Sequence, residues 1–122
     1  MQGPSPDIVR INHMLDIAKE ILEFSKGKTR DDLDVDRKLT LSLIHLLEIF
    51  GEAANGISPE FKSRFPQIPW KFIIGMRNRL IHGYYDIDLD VIWSTVTEDI
   101  PPLEDKIRRT IKLNSNSNMT WF

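Results

Sequence analysis

The sequence predicts an all-α fold, a four- to five-helix up-and-down bundle, and three observations predict it. Apolar residues recur at alternating spacings of three and four through most of the chain. No window keeps the strict alternation of a half-buried strand. The connections between periodic stretches are short, as neighbouring helices of a bundle require. A chain of 122 residues is long enough to bury one core and too short for two.

Ile8, Ile11, Leu15, Ala18, Leu22 and Ser25 form the stripe of a first amphipathic helix, with Pro6 in its opening turn and Gly27 as its stop. Lys26 to Asp36 is polar and charged and reads as a connecting loop. Leu39, Leu43, Leu46, Leu47, Phe50, Ala53, Ala54 and Ile57 mark a second helix ending near Gly56. Leu41, Ile44 and Ile49 widen its stripe, so this helix meets neighbours on two sides, either within the core or across a dimer seam. Ser58-Pro59-Glu60 is an N-cap followed by proline at the first helical position, opening a short helix that stops at Pro66. A further helix is predicted from Pro69 to about Gly83, turning Trp70, Ile73, Ile74, Leu80 and Ile81 inward. Asp88 caps the last long segment, in which Leu89, Ile92, Trp93, Val96, Ile100, Leu103, Ile107 and Ile111 keep helical spacing. Pro101 and Pro102 fall inside that pattern and predict a kink, since each lacks the N–H an α-helix needs. Asn114 to Asn118 is Asn and Ser alone, which divides the chain into a helical domain, residues 1–113, and a frayed tail, residues 114–122.

Composition removes several function classes. There is no cysteine, hence no disulfide framework and no thiolate chemistry. No apolar run approaches the roughly 20 residues that span a bilayer, and Met1-Gln2-Gly3-Pro4 has neither the basic nor the apolar part of a signal peptide. These features predict a cytoplasmic protein. The formal net charge is −2, unlike a module that holds nucleic acid by phosphate neutralisation alone. Any such role must use a local positive site. There is no glycine-rich phosphate loop, no Gly-x-Ser-x-Gly elbow and no pair of His at ligand spacing, so neither a cofactor nor a metal is expected.

The chemistry-bearing stretch is Gly75-Met76-Arg77-Asn78-Arg79-Leu80-Ile81-His82-Gly83-Tyr84-Tyr85. Two guanidiniums, an amide, an imidazole and two phenols cluster at the end of an apolar helix. Arg77 and His82 diverge by about 140° around a helix axis, whereas Asn78 and His82 share a face. Long side chains at a helix terminus can nevertheless converge on one phosphate. A structural reading stands beside this one: arginines near a helix C-terminus favour the macrodipole, a terminal His caps carbonyls, and tyrosines pack.

These residues resemble a known pattern. Arg77, four residues, His82, one residue and Tyr84 look like the Arg-x4-His-x-Tyr motif of HepT toxins, a branch of the HEPN superfamily, and Asn78 fits that superfamily's polar residue after the arginine. Leu47-Glu48-Ile49-Phe50-Gly51-Glu52-Ala53, Ile68-Pro69-Trp70, Gly75-Met76-Arg77-Asn78 and Trp93 to Pro101 are similar in order and spacing, so the resemblance covers about residues 8–112.

The resemblance implies an endoribonuclease toxin, a homodimer whose two motifs share a cleft and cut RNA without a metal. It also implies a minimal nucleotidyltransferase antitoxin as partner, which silences the toxin by transferring AMP to Tyr84. Arg77 and His82 are then the catalytic residues, with Asn78 and Tyr84 in support. His82 is suited to proton transfer near neutrality, and Arg77 can grip two phosphate oxygens. For Arg79, phosphate steering, a dimer contact and a plain salt bridge all remain open. Glu48 and Glu52 either back the cleft or are solvated. His13 and His45 are structural or surface residues, and Trp70 and Trp93 belong to the core. The alternative to an enzyme is a non-catalytic module that binds nucleotide or a nucleotidyltransferase partner with the same residues.

Overall fold

A computed structural model describes residues 5–80 and 86–119, with the side chains of all but Arg77 and residues 116–119. It is an all-α bundle, as the periodicity predicts. Helix α1 (Pro6–Ser25) begins where the Ser5 hydroxyl accepts the Asp7 N–H at 3.2 Å, and it buries Ile11, Met14, Ile17, Ala18 and Ile21. Gly27, at φ +73, turns the chain away in the left-handed region that glycine enters without steric penalty. The polar stretch that follows is not all loop. Leu33, its one leucine, is buried and centres a single helical turn, α2 (Asp32–Val35), whose Leu33 carbonyl accepts the Thr40 hydroxyl at 2.7 Å.

Helix α3 (Arg37–Asn55) starts at Asp36, whose carboxylate accepts the Leu39 N–H at 3.1 Å. Leu43, Leu47, Phe50 and Ala54 are wholly buried along it, and it packs against α1, α2, α5 and α6. Its wide apolar stripe is therefore mostly core, but Leu41 remains about half exposed. Helix α4 (Pro59–Arg64) follows the predicted Ser58 cap, the hydroxyl accepting the Phe61 N–H at 3.2 Å. Ser58 also donates its hydroxyl and its N–H to the Asp7 carboxylate, at 2.6 and 2.8 Å, tying the start of α1 to the start of α4.

Burial works to raise the Asp7 carboxyl, but the two Ser58 hydrogen bonds and the charges of Arg10 and Lys62 outweigh it and hold the group below its ordinary value of 3.8. A carboxyl lowered by folding contributes stability that is complete above its unfolded value. That contribution is lost as pH falls through the folded value. Asp7→Asn is therefore expected to destabilise the protein by about 1 kcal/mol at pH 7. The gap in thermal midpoint between variant and native chain should narrow as pH is lowered toward 3 or below.

Two segments differ from the simple periodic reading. The helix expected from Pro69 is interrupted at Gly75, giving α5 (Trp70–Ile74) and α6 (Met76–Leu80). The last segment begins at the predicted Asp88 cap, whose carboxylate accepts the Val91 N–H at 3.1 Å. It runs as α7 (Leu89–Ser94), a π-helical turn (Thr95–Asp99) and α8 (Ile100–Met119). Pro101 and Pro102 thus disturb the helix just ahead of themselves. Without their N–H groups the preceding turn loses its α-type partners and widens, and the Ile100 N–H reaches back five residues to the Thr95 carbonyl.

Helix α8 continues to Met119 through the Asn/Ser stretch that composition assigns to a frayed tail. Asn114 is buried, and its side-chain oxygen accepts from Arg64 at 3.2 Å. Helices α3 and α8 both pack on α1, enclosing one apolar core. No buried polar side-chain atom lacks a partner among the described residues. None of the described helices is long and apolar enough to cross a membrane.

Candidate active site

The candidate segment is held by α5 and α6, and their geometry begins with two glycines. A Cβ on Gly51 of α3 would sit 3.1 Å from the Ile73 carbonyl oxygen, close enough that α5 would have to give by a few tenths of an ångström to admit it. At the other end of α5, the Gly75 N–H returns to the Lys71 carbonyl at 2.9 Å. A Cβ on Gly75 would meet that same oxygen at 3.1 Å. The chain then starts α6, which buries Met76 and Leu80 completely, one turn apart on the face toward α3 and α7. Asn78, midway between them, points away from that face and is exposed.

Of the sequence-predicted site, Arg77 and Asn78 lie in α6, Asn78 on its open side. His82 and Tyr84 lie outside the described residues, as does the predicted helix stop at Gly83. The chain leaves α6 at Leu80 and is described again from Asp86, and the Asp88 N–H donates to the Leu80 carbonyl at 3.1 Å. Leu80 and Asp88, on either side of residues 81–85, are thereby joined.

Among the described residues Arg79 forms no salt bridge, and it is half-buried rather than free in solvent. Its Nη2 donates to the Phe72 carbonyl at 3.1 Å, and its guanidinium stacks over the Phe72 ring, 3.8 Å from the centroid. Asp99 of the π turn faces this group. Burial raises the Asp99 carboxyl above its ordinary value, the Arg79 charge opposes the rise, and Glu98 adds to it. Asp99 and Phe72 line a cavity of about 250 Å³ with Pro69, Pro102, Leu103 and Lys106. Phe72 and Asp99 were not among the residues singled out in the sequence. The available signal was the seven-residue spacing of Phe72 and Arg79, which places them on one side of a helix.

His13, His45 and Glu52 are exposed and Glu48 is half-buried, as solvated helical residues are. Trp70 is buried, its indole N–H donating to the Phe65 carbonyl at 3.1 Å, and Trp93 packs against the core. Among the described residues no three His, Cys, Asp or Glu side chains gather as a metal-binding group. A second cavity, of about 310 Å³, lies where the chain resumes: the partly exposed Ile87 and Leu41 line it with Leu33, Ile44 and Leu89 and with the polar Asp34, Arg37 and Thr40.

Comparison with known proteins bears out the family. Residues 14–110 match a family model described as Ribonuclease HepT-like. A protein of Thermococcus cleftensis named "Probable ribonuclease HepT" is 39% identical, over 83% of this chain and 94% of its own length. One of Caldanaerobacter subterraneus subsp. tengcongensis, named "Putative RNase", is 34% identical over 92% of this chain and 97% of its own. A Methanocaldococcus jannaschii protein named as a gamma-glutamylcyclotransferase and putative RNase is 36% identical over 90% of this chain, which spans half of that protein. No solved structure matches the chain.

Proposed function

The chain belongs to the HepT-like ribonuclease family, and from that premise we propose that it is an endoribonuclease cutting RNA without a metal at the Arg77–Tyr84 segment. The observation that carries this reading is the family match across residues 14–110, which contains the whole motif. The exposed Asn78 supports it, since the open face of α6 is available to a large substrate.

In this reading His82 takes the proton of a ribose 2′-hydroxyl. The freed oxygen attacks the adjacent phosphorus, the P–O5′ bond breaks and the leaving 5′-oxygen is protonated. The products are a 2′,3′-cyclic phosphate and a 5′-hydroxyl end. Arg77 neutralises the charge that builds on the phosphorane oxygens, where a fixed cation acts most strongly. Asn78 orients the imidazole or donates to a phosphate oxygen, and Tyr84 lines the cleft.

The working unit is a homodimer in the cytoplasm. The partly exposed Leu41 and Ile87, beside the return of the motif segment, offer an apolar seam for a second copy. A nucleotidyltransferase antitoxin silences the toxin by joining AMP to the Tyr84 hydroxyl with release of pyrophosphate. That adds negative charge and bulk where RNA phosphate must lie.

The test is cleavage of end-labelled RNA by purified protein in excess chelator. Cyclic-phosphate ends are expected. Intact RNA across varied sequences, together with tight binding to a nucleotidyltransferase, would replace the enzyme with the non-catalytic binding module. After co-expression with such a partner and ATP, mass spectrometry should find AMP on the peptide containing Tyr84. An adduct confined to other residues would remove Tyr84 from the regulatory role.

A further inference from the structure

A break inside a helix leaves carbonyls without their usual N–H partners, and the break at Gly75 is answered by one side chain. Arg79, on α6, donates to the Phe72 carbonyl of α5 and lies flat on the Phe72 ring. Asp99, from the π turn ahead of α8, adds a charge of opposite sign. Among the described residues of α6, Met76 and Leu80 are buried along one stripe, and one stripe fixes position better than roll about the axis.

The geometry points to Arg79 as a positioning residue for the cleavage reaction: by joining α6 to α5 through the Phe72 carbonyl and ring, it sets the roll of α6 and hence the backbone from which Arg77 and Asn78 project. Its catalytic consequence rests on the ribonuclease reading; its structural consequence does not. In this role Arg79 acts through Phe72, which takes one face of its guanidinium and, through the carbonyl, one of its N–H groups. Lysine cannot replace it, since an ammonium neither lies flat on a ring nor presents a rigid fork of donors.

The experiment compares Arg79→Lys, Arg79→Ala and Phe72→Leu in the full chain by steady-state RNA cleavage and by hydrogen exchange. Both Arg79 variants are expected to lose on the order of 10- to 100-fold in kcat, with KM and its salt dependence unchanged. Arg79→Lys should recover little of the loss. The double variant Phe72→Leu with Arg79→Lys should be no worse than Arg79→Lys alone, as residues acting as one unit behave. Amides of residues 76–80 should exchange faster, on the order of tenfold, with those of α1, α3 and α8 unaffected.

Native kcat in Arg79→Lys, or raised KM with weakened salt dependence in both Arg79 variants, would assign the guanidinium to RNA contact and overturn the proposal. Unchanged exchange across residues 76–80 overturns it without reference to catalysis. If the native chain fails to cut RNA, the ribonuclease reading falls, and the exchange data alone decide whether Arg79 anchors α6.

Discussion

His82→Ala should abolish RNA cleavage, lowering kcat by about 10²- to 10⁴-fold, while the protein stays folded. The range is that of a positioned acid–base group. Alanine leaves no side chain able to accept the 2′-hydroxyl proton at neutral pH. Arg77→Ala should cost about 10²- to 10³-fold, the loss associated with removing one stabiliser of transition-state charge. Arg77→Lys should restore only part of it, because an ammonium keeps the charge and loses the two-pronged grip. Rates are read by gel or fluorescence on a defined RNA, with circular dichroism and thermal midpoints confirming native folding. Native-level cleavage by both alanine variants would reject the assigned centre. Loss of structure in either would instead show that the segment supports the bundle.

Phe50→Ala should carry the largest cost in stability, about 3–5 kcal/mol. Phe50 is wholly buried in α3, the helix that meets α1, α5 and α6. Gly51 beside it already brings backbone against backbone, 3.1 Å from its would-be Cβ to the Ile73 oxygen. Walls held that closely cannot collapse into the space a lost ring leaves, so both the transfer and the cavity contributions are felt in full. Domains of this kind hold only about 5–15 kcal/mol in total, so roughly a fifth or more is at stake. The thermal midpoint should fall on the order of 10–20 °C. Lys19→Ala, on the exposed side of α1, should stay within about 0.5 kcal/mol. Chemical denaturation with an unchanged slope would locate the effect in the native state. A loss below about 1 kcal/mol would mean that α3 and α5 are free to close over the gap.

The helices most legible in the sequence are those whose signals are local. Ser58 and Asp88 accept a backbone N–H at the helix starts predicted for them, and Ser5 and Asp36 are caps that were not predicted. The stripe of α3 is mostly buried as its spacing requires, whereas α1 buries Met14, Ile17 and Ile21 beside Ile11 and Ala18 and leaves Ile8, Leu15 and Leu22 half-buried. What escaped depends on partners far along the chain. The turn around Leu33 is too short for any period to register. Asn114 remains helical because Arg64, distant in sequence, bonds it; composition carries no trace of such a partner. The prolines at 101 and 102 announced a disturbance, but its form, a widened turn rather than a break, arises from the Ile100 N–H finding the Thr95 carbonyl.

At the candidate site the chemical types were legible and the arrangement was not. Arg77 and Asn78 could be picked out because their order and spacing match a motif. Arg79 could not be assigned from spacing, since its role exists only where the helix breaks. That break reflects the close approach of Lys71 and Gly75 and the fit of α5 against Gly51.

The backbone bond from Asp88 to Leu80 closes the chain between them into a ring, and the entropy of closing a ring grows slowly with its length. Doubling it adds only about 0.6 kcal/mol. Extra residues inserted there should therefore leave the scaffold's thermal midpoint almost where it was.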